Sequence, residues 1–192
     1  MTMERVIVGI SGASGAALGL RILERLAVLP DIETHLVVSD AARRTLALEC
    51  GLDTLDSLTA LVHRHHPIGD IGASIASGSF PVRGMIVAPC SMQTLSAIAT
   101  GRADTLLTRA ADVQLKERRR LVLLARETPL HLGHLRTMVA ATEMGAIIMP
   151  PVPAFYHCPR SMAEIVDHLA TRAIDLLALP QSPLSRSWQG TP

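Results

Sequence analysis

Aromatic residues are almost absent: the 192-residue chain holds two Phe, one Tyr and one Trp. So few rings leave little surface for stacking bases, and 18 basic against 17 acidic residues give no general field for a phosphate backbone. Nucleic-acid binding is therefore disfavoured. Cysteine is scarce as well. Cys50, Cys90 and Cys158 are odd in number and include no C-x-x-C pair, which supports neither a disulfide frame nor a zinc ribbon and points to a reducing compartment. No run reaches the roughly 18 apolar residues of a membrane span, and the first residues show no signal-peptide pattern. The expectation is a cytoplasmic protein away from the membrane. His63, His65 and His66 cluster, and His131 and His134 share a helix, but neither group has the carboxylate or cysteine partners of a metal site, so no metal is expected.

What is present is apolar: 48% of the residues, with a positive mean hydropathy of +0.33. That surplus must be buried in a sheet covered on both faces or at subunit interfaces, and an oligomer is expected. The length suits one sizeable core and a tail from Pro180, read as a loosely docked arm. Val6–Ile10, His35–Val38, Met85–Ala88, Leu121–Ala125 and Ala146–Met149 read as short buried strands. Helical spacing follows in turn, at 17–26, 41–49, 91–99, 130–144 and 161–177, with Ser39-Asp40 as an N-cap and Glu164 at a capping-box position. Residues 55–63 read as helix and 71–80 as a loop or short strand. Strands alternating with helices argue for a parallel sheet with helices on both faces, a three-layer α/β/α Rossmann-like fold.

Chemistry concentrates where strands end. Arg109, Lys116 and Arg118–Arg120 precede one strand and Arg126-Glu127 follows it. Cations converging on a strand edge suit an anion, above all phosphate, whose geometry matches a guanidinium fork. For Arg118–Arg120 a solvated helix end is the plainer reading; for Arg126-Glu127 a site is. Gly9–Gly15 has the form G-x-x-G-x-x-G, with hydroxyls at Ser11 and Ser14. It resembles a phosphate loop without the Walker Lys, or a plain tight turn. Ser39, and Pro89-Cys90-Ser91-Met92-Gln93-Thr94, add hydroxyls at two further strand ends, where N-capping is the simpler role. Cys90 reads as a small buried residue rather than a nucleophile. Tyr156 stands on the stiff loop Pro150–Tyr156, either placed to bond a phosphate or closing a core edge. Arg172 lies mid-helix, where snorkelling is usual.

Taken together over residues 5–179, these blocks, with Ala76–Phe80, Gly84–Thr94 and Thr108–Arg119, resemble the UbiX/Pad1 family of flavin prenyltransferases, within the wider fold of flavin-containing cysteine decarboxylases. The resemblance implies one flavin-binding α/β domain over 1–179 with a C-terminal extension at 180–192. It implies that FMN is held by Gly12, Ala13, Ser14, Ser39, Ser91, Met92, Gln93, Thr94 and Arg126. It places the phosphate of dimethylallyl phosphate near Arg109, Lys116, Arg126, Tyr156 and Arg172, with Arg109 and Glu127 completing the site across subunit contacts of a dodecamer. Ser14, Glu127, Lys116 and Tyr156 are then the catalytic set. The implied reaction joins a dimethylallyl unit to N5 and C6 of reduced FMN without metal, supplying prenylated FMN to a UbiD-type decarboxylase. Preplaced cations would stabilise the departing phosphate in a water-poor site. Three other readings share the fold: decarboxylation of a cysteinyl substrate, whose enzymes carry an Asn that Pro89–Thr94 lacks; direct decarboxylation of aromatic acids; and a non-catalytic flavin carrier, which would not need a second anion site.

Overall fold

A computed structural model describes residues 3–51 and 54–190. The chain opens with β1 (Glu4–Ile10), α1 (Ala16–Ala27), β2 (Ile32–Val38), α2 (Asp40–Cys50), α3 (Thr54–Ala60) and β3 (Arg64–His66). A 3-10 turn at Ser74–Ala76 leads to β4 (Gly84–Cys90), α4 (Met92–Ala99), α5 (Leu106–Lys116), β5 (Arg120–Ala125), α6 (Leu132–Glu143) and β6 (Ile147–Ile148). A second 3-10 turn at Phe155–His157 precedes α7 (Met162–Asp175). The strands form one parallel sheet ordered β3-β2-β1-β4-β5-β6.

Side chains alternate between the faces of a strand, so a sheet covered on both sides needs apolar residues at every position. The central strands supply them. Val6, Val8 and Ile10 of β1, with Ile86, Ala88, Val122 and Leu124, pack against α1, α2 and α7. Ile7, Met85, Val87, Leu121 and Leu123 point the other way, onto α4, α5 and α6. This is the three-layer architecture expected from the sequence.

Two elements were not legible. The first is β3, whose residues Arg64-His65-His66 are polar. Its burial is made tolerable by a hydrogen-bonded series: the Nδ1 of His35 lies 2.9 Å from the Nε2 of His66, the Nε2 of His35 lies 3.0 Å from Glu33, and Glu33 accepts from Arg5 at 2.8 Å. Burial first, then the neighbouring His35 and Arg64, push His66 down to about 4. The second is α5, where the charges of Arg109–Lys116 hid an amphipathic helix that buries Leu106, Leu107, Ala110, Ala111, Val113 and Leu115. Residues 71–80, read as loop or strand, hold the 3-10 turn.

Helix α1 lies unusually close to β4. A Cβ at Gly19 would stand 2.5 Å from the carbonyl oxygen of Ala88 and 2.9 Å from Ile10 Cδ1. Gly19→Ala is therefore expected to overpack this seam and cost about 1–3 kcal/mol, read as a lowered Tm in a thermal melt. An unchanged Tm would show that α1 can slide away. The same helix is clamped to α7 by Arg21 and Arg25, which donate to Asp167 at 2.6–2.7 Å. Helix α7 begins as the sequence indicated. Ser161 Oγ accepts from Glu164 N at 3.2 Å, and the Glu164 carboxylate accepts from Arg160 N at 2.7 Å.

Strand order fixes where a ligand can sit. From β1 the chain winds to β2 and β3 on one side, then crosses to β4 on the other. Such a reversal opens a crevice outside the carboxyl ends of the two central strands.

Candidate active site

The crevice is framed by the turns after β1 and β4, and Ser11 stitches them together. Its buried hydroxyl donates to Pro89 O at 2.9 Å and accepts from Ser91 N at 2.7 Å. Ser11→Ala takes the acceptor from the Ser91 amide, while Pro89 O keeps the Ser11 amide at 3.2 Å, an expected loss of about 1–3 kcal/mol. Chemical denaturation would read it; a loss below about 0.5 kcal/mol would mean that water replaces the hydroxyl. Gly12 is required by contact: a Cβ there would lie 2.4 Å from the Cβ of Ala41 at the start of α2. Ser39 caps α2, accepting from Ala42 N at 3.1 Å, and Ser91 caps α4, accepting from Thr94 N at 3.2 Å. Both serines are thus N-caps, yet they also line the crevice.

Gly12, Ser39, the run 91–94 and Glu127 line a single cavity of about 480 Å³. That volume is in the range of cofactor pockets, and the close approach at Gly12 is a cradle that a side chain would fill. The residues present suit the ribityl phosphate and ring of FMN: backbone amides at two helix N-termini, small side chains, and hydroxyls for polar edges. Ala13 is half-buried and Ser14 exposed within the same turn.

The decisive residue that sequence reading missed is Glu49, in the last turn of α2. Its carboxylate accepts from Gly15 N at 2.9 Å and from Ala16 N at 2.7 Å, at the N-terminus of α1. Burial alone would raise this carboxyl, but hydrogen bonds from Ser14, Gly15 and Ala16, and the charge of Arg126, hold it below the usual carboxylate range. Ser14, Glu49 and Arg126 therefore meet beside the cavity. The signal was available. A carboxylate in the last turn of a helix opposes the macrodipole, which asks for a partner elsewhere.

Arg126 leaves β5 directly at the crevice, its N–H donating to Cys90 O at 3.0 Å. The peptides Ala88-Pro89, near the end of β4, and Thr128-Pro129, beyond the end of β5, are both cis. Cys90 is wholly buried and its thiol is pushed up to about 12, so it holds no thiolate at neutral pH.

A second cavity, about 440 Å³, lies on the other side of β5, past the end of β6. Tyr156, Arg172 and His168 face it, together with Trp188 from the C-terminal segment. Tyr156 is 59% exposed rather than closing a core edge, and its ring meets that of Trp188 edge-on at 5.2 Å. The C-terminal segment is fastened rather than loose. Asp175 accepts from Leu184 N at 2.7 Å and from Ser185 N at 3.0 Å.

Residues 1–173 match the Flavoprotein family model. The chain is 56% identical over 190 residues to the flavin prenyltransferase UbiX of Escherichia coli K12, covering 98% of this chain and 100% of that protein. The chain belongs to the UbiX family of flavin prenyltransferases. Two solved UbiX-type structures superpose with a TM-score of 0.91. One is a dodecameric FMN-dependent UbiX-like decarboxylase from Escherichia coli O157:H7, 47% identical, with 97% of this chain and 100% of that one covered. The other is AnUbiX in complex with FMN and dimethylallyl pyrophosphate, 45% identical, with 98% and 99% covered.

Within one UbiX-type subunit the cations read from sequence do not converge. Lys116 ends α5, pairs with Glu117 and neighbours Gly78. It lies about 12 Å along the helix from Thr108, which lines the first cavity. Arg109 donates to Ala76 O and to Asp112 at 2.8 Å. Arg119 and Arg120 bond the carbonyls of Gly78, Phe80 and Leu176 at the amino end of the sheet. The reason is the path of the chain: α5 and then Arg120–Ala125 each cross the sheet, so Lys116, Arg119 and Arg120 stand at the opposite end from Arg126. Arg109, next to Thr108, instead starts near the first cavity but turns its guanidinium to Ala76 O and Asp112. Arg126 leaves β5 at its carboxyl end, and Tyr156 and Arg172 line the second cavity.

Proposed function

We propose that this protein transfers a dimethylallyl group from dimethylallyl phosphate to reduced FMN. When bound, FMN supplies the acceptor positions N5 and C6, and the product is prenylated FMN. The observation that carries the reading is the pair of cavities flanking β5, one lined by helix-capping hydroxyls and the other by Tyr156 and Arg172 with no carboxylate among its lining residues. A carrier or storage protein has no use for the second.

The residues divide the work. Gly12, Ala13, Ser39, Ser91, Met92, Gln93 and Thr94 hold FMN, with the amides at the start of α2 and α4 meeting its phosphate. Arg172 and the Tyr156 hydroxyl hold the donor phosphate. As the allylic C–O bond breaks, the electron pair leaves with the phosphate, and guanidinium charge already in place stabilises it without reorganisation. Arg126, at the end of β5 beside Glu127 of the first cavity and within electrostatic reach of Glu49, contributes its charge to both ligands. Glu49, ionised at neutral pH, would take up the proton that the acceptor position loses on alkylation, relayed through the Ser14 hydroxyl, which donates to it. Glu127 faces the first cavity with its Oε1 accepting from Thr128 N at 3.1 Å, and is a second acceptor. Lys116 and Arg109 act on the site of a neighbouring subunit, in a homo-oligomer of the dodecameric kind formed by the O157:H7 relative. Prenylated FMN passes to a UbiD-type decarboxylase in the cytoplasm.

The O157:H7 relative is described as a decarboxylase. Against that chemistry here stand a buried Cys90 without a thiolate and a second cavity that carries arginine and no carboxylate. The test is an anaerobic incubation of the protein with dithionite-reduced FMN and dimethylallyl phosphate, followed by mass spectrometry of the released flavin. A mass gain of one dimethylallyl unit is expected. Unmodified flavin, with release of carbon dioxide from an aromatic or cysteinyl acid, would overturn the proposal.

A further inference from the structure

A third cavity, about 780 Å³, opens at the amino end of the sheet, opposite the crevice, where β1, β4 and β5 begin. Arg5, Arg83, Arg118, Arg119 and Arg120 line it, and Glu4 is its one acidic lining residue. The strand register pairs Val6 with Gly84 and Gly84 with Arg120. Arg5, Arg83 and Arg119, each one position earlier, therefore form a row across three neighbouring strands about 4.8 Å apart. Like charges so placed repel one another.

Their protein partners do not cancel that charge. Arg5 meets a carboxylate, Glu33 at 2.8 Å. Arg119 donates to Gly78 O and Phe80 O, Arg120 to Leu176 O at 3.0 Å, and Arg83 to Ala178 O. Carbonyls at the end of a helix favour such cations, so Arg83 and Arg120 also fasten the end of α7. Each uses one nitrogen to do so and keeps the rest of its guanidinium unbonded among the described residues. Glu117 feels the charge of Arg119 but is paired with Lys116.

Arg118 is the residue that the fold does not explain. Helix α5 ends in a Schellman motif, with Arg119 N donating to Gln114 O at 2.9 Å and Arg118 N to Leu115 O at 3.1 Å. Arg118 occupies its left-handed position, with a φ of 58°. Glycine takes that conformation without strain and a residue with a Cβ does not. The Arg118 side chain is exposed and has no partner among the described residues. A guanidinium kept at a strained position, unpaired and beside four others, serves binding rather than folding.

We infer that this cavity binds a triphosphate chain, at a site separate from those of the flavin and the prenyl donor and independent of the prenyltransferase reading. A guanidinium fork grips one phosphoryl group, and Arg83, Arg118 and Arg120 each offer one. The chain's negative charge relieves the repulsion along the row. Met3, Pro81, Val82 and Leu177 give the cavity an apolar part that suits the body of a nucleoside triphosphate, and inorganic triphosphate shares the same anionic chemistry.

The test is calorimetry on the full-length protein loaded with oxidised FMN and saturated with dimethylallyl phosphate, titrated with inorganic triphosphate, ATP or inorganic phosphate without divalent cations. Triphosphate is expected to bind at least about tenfold more tightly than phosphate. Arg118→Gly should raise the triphosphate Kd about tenfold, the loss of a charge-assisted hydrogen bond. The same variant should keep its Tm or raise it, because glycine relieves the turn, so weaker binding cannot be laid to unfolding. Arg118→Lys, which restores the charge without the fork, should recover part of the affinity. ATP binding more tightly than inorganic triphosphate supports the site with the nucleoside on the apolar part; equal affinities support it with the inorganic chain as ligand. No binding at millimolar triphosphate, displacement by dimethylallyl phosphate, or a Kd unmoved by Arg118→Gly would overturn the inference.

Discussion

Glu49→Gln is expected to leave FMN binding within about twofold and to lower the rate of prenyl transfer about 10²- to 10⁴-fold, the usual weight of a general acid–base residue. The variant keeps an oxygen that can accept from Gly15 and Ala16, so α1 retains its cap. What it loses is the charge beside Ser14 and Arg126. The acid limb of the wild-type rate should follow from the same geometry. A carboxyl held below its ordinary value of 4.5 stays ionised until the pH falls beneath that value. Its contribution to the hold on α1 is fully present above the unfolded value and lost as the pH falls through the folded one. Stopped-flow measurement of single-turnover prenylation in both proteins decides it. A Glu49→Gln protein within tenfold of wild type would reduce Glu49 to a helix cap.

Arg172→Ala should separate the two ligands. The donor loses a charge-assisted partner, so kcat/KM for dimethylallyl phosphate is expected to fall about 10- to 100-fold. The Kd for FMN should hold within about twofold, because Arg172 lines only the cavity beyond β6. Tyr156→Phe, which removes a neutral hydroxyl, should do the same at about 5- to 10-fold. Steady-state kinetics beside a flavin-fluorescence titration measures both quantities. Parallel loss of donor and flavin affinity would show that the two cavities are one site.

Much of this was legible because it is local. A cap needs only a Ser and the amide three residues on, so Ser39, Ser91 and Ser161 could be read directly. The central strands declared themselves through unbroken apolar runs. What could not be read depends on contacts between distant parts of the chain. Strand β3 is polar because His66 bonds to His35, 31 residues away. Lys116 and Arg126 are ten positions apart and look like neighbours, until the intervening strand sets them at opposite edges. Glu49 reaches Gly15 across 34 positions. Yet Glu49 and Asp175 share a local mark. Each is an acid in the last turn of a helix, the place where the dipole least favours it. Each turns out to hold a distant stretch of backbone, Glu49 the start of α1 and Asp175 the segment at Leu184 and Ser185.

The arrangement of β4, β5 and β6 sets a length scale for the chemistry. The cavity lined by Ser91–Thr94 opens beside the loop after β4 and the one lined by Pro150 and Tyr156 beside the loop after β6, with β5 between those strands. Neighbouring strands stand about 4.8 Å apart, so the two loops are held about 10 Å apart by backbone hydrogen bonds alone. The backbone ladder is thus a ruler that no side-chain substitution in either cavity can rescale. Changes in the loops alter the linings of the two cavities, whereas the spacing of the strands that carry those loops belongs to the sheet.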